Sequence, residues 1–422
     1  MKKSRYTIEV EINKKISMLY NTLSRQYYVF LREERKQIFN LLSEINCGEY
    51  TRTEILIIRE LLRKKIIIKD NADELLEVKY LENKIRFQDS IFYLTIYMTN
   101  ACNFQCVYCT QNHVVKNLTN ETLENIIDLI CEISTYAKQI YIKWFGGEPL
   151  LQYSKMLTIS QQAYDICKAD KCKLNTFITT NGYLLSRSNL IQMKKYGLSG
   201  MQVTVDIDRT THNKMRPLAN GKGTYDIIIK NILTALEMHI KIVLRINIPE
   251  GKTLDSIMVL NEIPIAYRKF VVVSFCNVFQ NEKKESMYKY IKKAIDMGFQ
   301  YESRNNFNIC DAGRKHSLYI DTDGSVLMCS NTCQGEKKLG ILKNRGYVTC
   351  DNVDMLYKIK TVSALDNKSC RECVELPYCI GSCPYGMLQC EDKCLGEKND
   401  GLTLKERALL DYYCDRKKGE IK

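Results

Sequence analysis

The sequence predicts an α/β fold built on a parallel sheet, flanked by a small N-terminal unit and a cysteine-rich C-terminal segment. Three observations carry this. Six apolar, strand-like runs alternate with amphipathic stretches between residues 90 and 300. Residues 1–88 follow a different rhythm, with short strands first and paired helices after. Beyond residue 305 the apolar periodicity fades and cysteines accumulate: eleven of the chain's 19 fall at or after Cys310. A chain of 422 residues, 45% of them hydrophobic, can bury a large core shared among several domains. The expected boundaries are 1–88, 89–300 and 301–422.

In the first unit, residues 6–12 alternate like a strand and 26–31 read as a second one. Residues 32–46 and 53–64 have helical spacing, and 65–69 form a short β-branched run. Strands followed by a helix pair fit a winged-helix-like module. In the central unit, strands are expected at 92–98, 140–145, 177–180, 201–205, 242–248 and 270–275. Helices are expected at 121–134, 152–168, 187–196, 224–238, 254–266 and 283–297. Six such units imply a parallel sheet with helices outside, either doubly wound or a partial barrel. In both, chemistry gathers at the carboxyl ends of the strands.

Net charge is +13 with 26% charged residues. That balance suits an acidic peptide, nucleic acid or an anionic membrane, and equally a plain solvated surface. The opening Met1-Lys2-Lys3-Ser4-Arg5-Tyr6 has no apolar secretory stretch. Apolar runs such as 270–273 are too short to span a bilayer. A cytoplasmic location with no membrane association is therefore expected. Thiols stay reduced there, which makes the cysteines metal ligands rather than disulfide partners.

The first cysteine group lies on the loop after the first central strand: Cys102-Asn103-Phe104-Gln105-Cys106-Val107-Tyr108-Cys109. Three thiolates at C-x3-C-x2-C spacing can grip three irons of a [4Fe–4S] cube and leave the fourth iron open for a small molecule. Zinc is the structural rival, and it needs a fourth ligand, for which His113 is the nearest candidate. The next strand ends Lys143-Trp144-Phe145-Gly146-Gly147-Glu148-Pro149. Its two glycines permit close backbone approach, and a carboxylate follows.

These two segments together resemble the radical S-adenosylmethionine (SAM) superfamily. The resemblance implies a partial (β/α)6 barrel of TIM-like type. Cys102, Cys106 and Cys109 would hold the cluster, and SAM's amino and carboxylate groups would chelate the open iron. Gly146, Gly147, Glu148 and Pro149 would receive the amino group, with Tyr108 near the adenine. Thr204, at the end of the fourth strand, and Arg216 after it would hold the SAM carboxylate and ribose. Arg245, in the fifth strand, is a further candidate. Cleavage of SAM by one electron would give methionine and a 5′-deoxyadenosyl radical that abstracts hydrogen from a C–H bond.

Cys310, Gly324 and Cys329 frame a stretch with an Asp323-Gly324 turn that reads as a hairpin. Cys370-x2-Cys373-x5-Cys379-x3-Cys383 follows. A zinc-ribbon site is the rival reading. The pattern resembles the SPASM extension of radical SAM enzymes, which implies two auxiliary [4Fe–4S] clusters and three clusters in all. Cys310, Cys329 and Cys383 would serve the first. Cys370, Cys373 and Cys379 would serve the second, with Cys394 completing it and Cys390 and Cys414 as alternatives. The first lacks an evident fourth ligand: Cys276, Cys333 or Cys350 would close it, or its iron stays open to a substrate thiolate. Cys47, Cys131, Cys167 and Cys172 have no ligand spacing and read as packing or surface thiols.

The resemblance extends over roughly residues 90–415 and points to maturases of ribosomally made peptides. By it, residues 1–88 would recognise the leader of a precursor peptide, pairing it with a strand edge beside a helix. The reaction would form a thioether or another crosslink, with electrons from a donor such as flavodoxin or ferredoxin. Two alternatives stand beside it: a sulfatase-maturase-like enzyme acting on a folded protein, and a non-enzymatic iron–sulfur module that binds nucleic acid. The sequence singles out no catalytic base.

Overall fold

Alternation in the first residues resolves into a three-stranded antiparallel sheet, and the apolar runs after residue 90 into a second, larger one. The computed structural model describes all residues except 44, 46–48, 112–113, 279–284, 303–308, 331–337, 382, 390–393, 395–400 and 421–422. Cys47, His113, Cys333 and Cys390 lie outside the described residues.

The first unit begins with β1 (Lys2–Lys3), β2 (Thr7–Glu11), β3 (Ile16–Asn21) and β4 (Tyr27–Leu31). The helix pair follows as α1 (Arg35–Ser43) and α2 (Arg52–Arg63), then β5 (Ile67–Ile68), which pairs with β1, and α3 (Glu74–Arg86). The small sheet has the order β2-β3-β4. Its central strand, β3, is not expected from sequence. Met18, Leu19 and Tyr20 are all fully buried, so both faces of β3 are covered and the period-two signal vanishes. Helix α3 is unexpected for another reason: it buries Glu82 and Arg86 along with Val78. Those two charges pair with each other, while Arg86 also donates to the carbonyls of Lys360 and Val362 and Glu82 accepts from Ser363. A satisfied buried ion pair interrupts the apolar stripe by which a helix is recognised.

The central unit runs β6 (Ile91–Thr99), α4 (Asn120–Ser134), β7 (Gln139–Gly146), α5 (Tyr153–Ala169), β8 (Lys173–Thr180), α6 (Arg187–Lys195) and β9 (Leu198–Thr204). It continues α7 (Arg209–Met215), α8 (Tyr225–Glu237), β10 (Lys241–Ile248), α9 (Ile265–Arg268), β11 (Val271–Asn277) and α10 (Tyr288–Asp296). All six strands pair parallel, each with the next in sequence. That order has no reversal, which separates it from a doubly wound sheet, whose strand order turns back at a switch point. The expected helix at 254–266 is replaced by two single 3-10 turns and the four-residue α9. Pro264 accounts for this: it cannot donate within a helix, and it pushes Ile263 into extended backbone (φ −96°, ψ 113°).

The C-terminal segment joins the same sheet. Strands β12 (Ser317–Ile320) and β13 (Ser325–Leu327) form the expected hairpin across Asp323-Gly324, and β14 (Lys338–Leu342) and β15 (Val348–Cys350) extend it. β12 pairs parallel with β6, so among the described residues one sheet runs β11-β10-β9-β8-β7-β6-β12-β13-β14-β15. Short helices follow: α11 (Val353–Thr361), α12 (Lys368–Glu372), α13 (Leu376–Cys379), α14 (Pro384–Gln389) and the longer α15 (Leu404–Glu420). Among the described residues, no helix is long and apolar enough to cross a membrane.

The two ends of the chain are locked together. Asp411 on α15, nearly buried, accepts from Arg25 Nη2 at 2.6 Å and from the hydroxyls of Tyr20 and Tyr378. Removing this carboxylate takes this partner from a half-buried guanidinium and from two buried hydroxyls, which still meet each other. We expect Asp411→Ala to cost about 2–3 kcal/mol of local stability, because hydrogen bonds from buried hydroxyls to a charged group are lost, read as a lower midpoint of thermal unfolding, and Asp411→Asn, which keeps an acceptor, to cost distinctly less.

Candidate active site

The carboxyl ends of β6 to β10 converge. After β6 comes the loop of Cys102, Cys106 and Cys109; after β7, Gly147 and Glu148; after β8, Asn181; after β9, Asp206. Asn247 lies near the end of β10.

Backbone contact sets the first two against each other. Gly147 N–H donates to Thr99 C=O at 2.8 Å, and Glu148 N–H to Ala101 C=O at 2.9 Å. A Cβ on Gly146 would lie 2.2 Å from the Thr99 oxygen, and one on Gly147 2.2 Å from the Ala101 oxygen; Gly146 also has φ +130°. No side chain fits at either position. The glycine pair thus joins the end of β7 to the beginning of the cysteine loop.

The far side of the loop is tied as well. Gln105 N–H bonds to Pro217 C=O at 3.0 Å, Val107 N–H to Met215 C=O at 2.9 Å, and Ala219 N–H to Asn103 C=O at 3.0 Å. Phe104 is buried beneath Arg216, whose guanidinium lies 5.7 Å from the ring centroid. Cys102 and Cys106 are half-buried and Cys109 is exposed. Burial pushes the Cys102 thiol up to about 11 and raises that of Cys106, on which nearby Arg216 acts in the opposite direction. A bound iron centre would reverse that bias and favour thiolates.

Glu148 is fully buried. It accepts from Leu150 N–H at 3.1 Å, Thr180 Oγ1 at 2.8 Å and Asn181 N–H at 2.8 Å. Burial raises its pKa, while these three donors oppose the rise. A carboxylate has about four acceptor positions, so one further donor can be received. Asn181 reaches on from there to Asn103 Oδ1 at 2.8 Å and to the Cys102 sulfur at 3.9 Å.

The second half of the site centres on Tyr108. Its hydroxyl donates to Asp206 Oδ1 at 2.7 Å and accepts from Arg216 Nη1 at 3.2 Å; Asn247 Nδ2 lies 3.0 Å away. Two buried atoms here have no partner: Asp206 Oδ2 and Arg216 Nε. An unpaired buried acceptor and an unpaired buried donor side by side are costly in the protein alone. They suit a ligand that carries both a hydroxyl or amino group and a carboxylate, as SAM does. The residues present therefore fit a three-thiolate cluster with SAM beside it.

Short helix α7 delivers Arg216. Asp206 N–H donates to His212 Nδ1 at 3.1 Å, which places the ring proton on Nε2, facing Thr224 Oγ1 at 3.0 Å; Thr224 in turn donates to Arg216 C=O at 2.8 Å. Burial and Arg216 hold His212 down at about 3, so this relay stays neutral. Thr204 is half-buried, opposite Arg245 in the β9–β10 pairing, and Arg245 bonds Asn247 Oδ1 at 3.2 Å. Asp206, Asn181, Asn247 and His212 are not among the residues singled out from sequence. Asp206 and Asn181 do stand directly beyond strand ends, which was the available signal. Asn247 and His212 carry none.

The C-terminal cysteines gather in two groups. Cys383 and Cys329 both bear on the ionisation of Cys310, and burial is the main cause of its raised pKa. Cys379, Cys373 and Cys394 bear in the same way on Cys370, and Cys379 and Cys394 on Cys373. Cys394 is therefore beside this set. Cys414 packs from α15 against the main core; Cys276 lies in β11 near Ser274, and Cys350 closes β15. Cys167 and Cys172 are buried in the core, and Cys131 is exposed on α4.

Residues 96–262 match the radical SAM superfamily. Among curated proteins, the chain is 23% identical over 422 aligned positions to the radical SAM cyclopropyl synthase TigE of Paramaledivibacter caminithermalis, covering 86% of this chain and 84% of that protein. It is 29% identical over 198 residues to GTP 3′,8-cyclase of Campylobacter jejuni subsp. doylei, covering 46% of this chain and 58% of the cyclase, so this match spans little more than half of that protein. Among solved structures, native anSMEcpe with bound AdoMet and Cp18Cys peptide superposes with TM-score 0.55 at 17% identity over 79% of this chain and 99% of that one. Streptococcus suis SuiB bound to precursor peptide SuiA gives TM-score 0.53 at 16% identity over 95% and 100%. At these identities the superpositions show a shared fold.

Burial lifts the Asp206 carboxyl to about 6 from an ordinary value near 3.8, against the pull of Arg216, Tyr108 and Asn247. The folded chain then holds this proton where the unfolded chain releases it, so stability falls as pH rises from about 4 to about 6. The loss from this one group is about 3 kcal/mol at most. Denaturant unfolding of the metal-free protein at pH 4, 5 and 6 should show this slope in the wild type, and Asp206→Asn should flatten it.

Proposed function

We propose that this chain, whose residues 96–262 match the radical SAM superfamily, is a radical SAM enzyme that acts on a ribosomally made precursor peptide. The single observation that carries the reading is the presence, in one chain, of a candidate SAM site at the strand ends and a strand edge open at Val29. When bound, the cluster at Cys102, Cys106 and Cys109 with SAM supplies a one-electron cleavage that yields methionine and a 5′-deoxyadenosyl radical.

The chain's own residues do the positioning. Glu148, already holding three donors, has an acceptor position for the SAM amino group. The free Arg216 Nε–H is suited to its carboxylate, and Asp206 Oδ2 to a ribose hydroxyl. Tyr108 ties Asp206 and Arg216 together through its hydroxyl, and Asn247 buttresses it. Thr204 and Arg245, paired across β9 and β10, would extend the same site. Cys310, Cys329 and Cys383 would hold one auxiliary cluster; Cys370, Cys373, Cys379 and Cys394 would hold a second. A protein donor of flavodoxin or ferredoxin type would supply electrons, in the cytoplasm.

The binding edge is β4. Hydrogen bonds from Asn21 N–H to Gln26 C=O and from Arg32 N–H to Lys15 C=O show that even-numbered residues of this strand face β3. Tyr27, Val29 and Leu31 turn their backbone groups outward. Leu31 N–H is taken by Glu34 and Tyr27 C=O by Lys64 at the end of α2. Val29 remains open to an added strand; Val29 and Leu31 are exposed on β4, as are Ile55 and Leu56 on α2. The leader would lie here between β4 and α2. A folded-protein substrate would need no such edge, which sets the sulfatase-maturase-like alternative second. Support for the peptide class also comes from the peptide-bound structures whose fold this chain shares. A thioether or other crosslink is the product class proposed.

Mass spectrometry of the co-expressed neighbouring peptide tests the reading. A loss of two mass units marks a crosslink or oxidation, whereas an unmodified peptide with intact SAM cleavage would remove it. Cys106→Ala should abolish reductive SAM cleavage, measured as 5′-deoxyadenosine formed with dithionite. Because the N-terminal unit is locked to α15, a point change is a cleaner probe of the edge than truncation. Proline is tolerated on an edge strand and removes the outward N–H. Val29→Pro should therefore weaken leader binding at least about tenfold in a fluorescence titration, while peptide-independent SAM cleavage stays within about twofold.

A further inference from the structure

The parallel strands have two unlike faces. On β7 and β10, Ile140, Ile142, Trp144, Ile242, Leu244 and Ile246 are buried in the main core. Successive side chains of a strand point to opposite sides, so the alternate residues share the other face. They are only half-buried, among them Lys143 on β7, Gln202 on β9, Arg245 on β10 and Ser274 on β11. Two of these four are cations. The Lys143 ammonium is paired with Asp311. The Arg245 guanidinium has no carboxylate partner among the described residues: Nε donates to Asn247 Oδ1 at 3.2 Å, and neither Nη group is bonded. Its neighbours in register, Thr204 and Ser274, carry hydroxyls and no charge. Asp206, beyond the end of β9, does not receive it either, since Asp206 Oδ2 has no partner and Oδ1 is held by Tyr108.

Arg245 is also next to the candidate SAM site. Asn247, which holds its Nε, places Nδ2 3.0 Å from the Tyr108 hydroxyl. One asparagine therefore separates the unpaired Nη fork from the groups assigned to SAM. On a half-open face, water can solvate that fork. A chain laid over the face excludes the water, and a covered guanidinium is costly unless an anion meets it. A carboxylate matches the fork with two parallel hydrogen bonds.

We propose that Arg245 is a specificity-determining residue: its Nη fork takes a carboxylate of the peptide substrate, an Asp or Glu side chain or the C-terminal carboxylate, and so selects which part of the peptide lies beside the SAM site. The inference rests on the reading that the substrate is a precursor peptide. SAM's own carboxylate has a separate donor in Arg216 Nε, on the other side of Tyr108 from Asn247 in the chain of hydrogen bonds. A peptide with an amide at the matching position would cover the guanidinium without neutralising it, and the enzyme discriminates against it for that reason.

Variants of the neighbouring precursor peptide test this on the wild-type holoenzyme, so the result does not depend on how an altered enzyme folds. Each Asp and Glu of the segment that becomes modified is changed in turn to its amide, and one further peptide carries a C-terminal amide. One of these peptides should be modified with kcat/KM lowered at least about tenfold, the loss of a charge-assisted contact, and its identity names the source of the carboxylate. Arg245→Gln should show a loss of similar size with the unaltered peptide and little further loss with that amide peptide, because the two changes remove the same interaction. Arg245→Lys, which keeps the charge without the fork, should recover part of the rate on the unaltered peptide. Full activity on every amide peptide, losses that simply add, or an Arg245→Gln defect that lies in the KM for SAM would each overturn the inference. Wild-type enzyme that cleaves SAM yet leaves the unaltered peptide unmodified would remove the peptide reading itself, and the inference with it.

Discussion

The architecture of the active site depends on one close approach: the backbone of Gly146 and Gly147 pressed against the carbonyls of Thr99 and Ala101. The cysteine-loop half of the site is placed by it. It fixes where the cysteine loop leaves β6, and hence where Cys102 lies relative to Glu148. Glu148 then anchors Asn181, and Asn181 reaches back to the loop at Asn103 and Cys102. The circuit closes with no charged pair, through backbone amides, one carboxylate and two asparagines. Such a network holds its geometry because each member is already satisfied by another. The glycines are commonly thought of as making room for a ligand; here they first make room for the protein's own backbone.

Tyr108 organises the other half by a different principle. Its hydroxyl joins groups from β9, β10 and the end of α7, yet the cluster it joins is left one acceptor and one donor short, at Asp206 and Arg216. The protein alone bears the cost of that shortage. A site that is preformed but electrostatically incomplete binds its ligand without large rearrangement and discriminates against molecules lacking the matching polar groups. The buried neutral His212 keeps Arg216 in place without adding a second titrating charge.

How much of this could be read from residues alone differs by kind of signal. The six parallel strands were legible because each is a short apolar run between amphipathic helices. The grouping of the C-terminal cysteines came from the resemblance to the SPASM pattern rather than from spacing alone, and Cys394 was chosen there only for its place before the last helix. Strand β3 was not legible, because burial on both faces erases alternation. Helix α3 was hidden by its internal Glu82–Arg86 pair, and the break at Pro264 was overlooked within an otherwise apolar stretch. In the site, motif residues were found and their partners were not. Asp206, Asn181 and Asn247 act through contacts between strand ends that are distant in sequence, and a single polar residue after a strand has many ordinary uses. Boundaries drawn at residues 88 and 300 likewise do not reveal that Arg25 and Tyr20 close on Asp411.

The pairing of β12 with β6 has a consequence for access. A strand has two hydrogen-bonding edges, and those of β6 are occupied by β7 and β12. β6 therefore has no edge left with which to meet β11, and the six parallel strands cannot be drawn into a ring. The C-terminal hairpin acts as a doorstop. A ring with its chemistry at one mouth admits what can be lowered into it; a sheet kept ajar can also be approached from its side. A long, flexible molecule can then be laid across the strand ends and altered in its middle, with both of its own ends remaining outside.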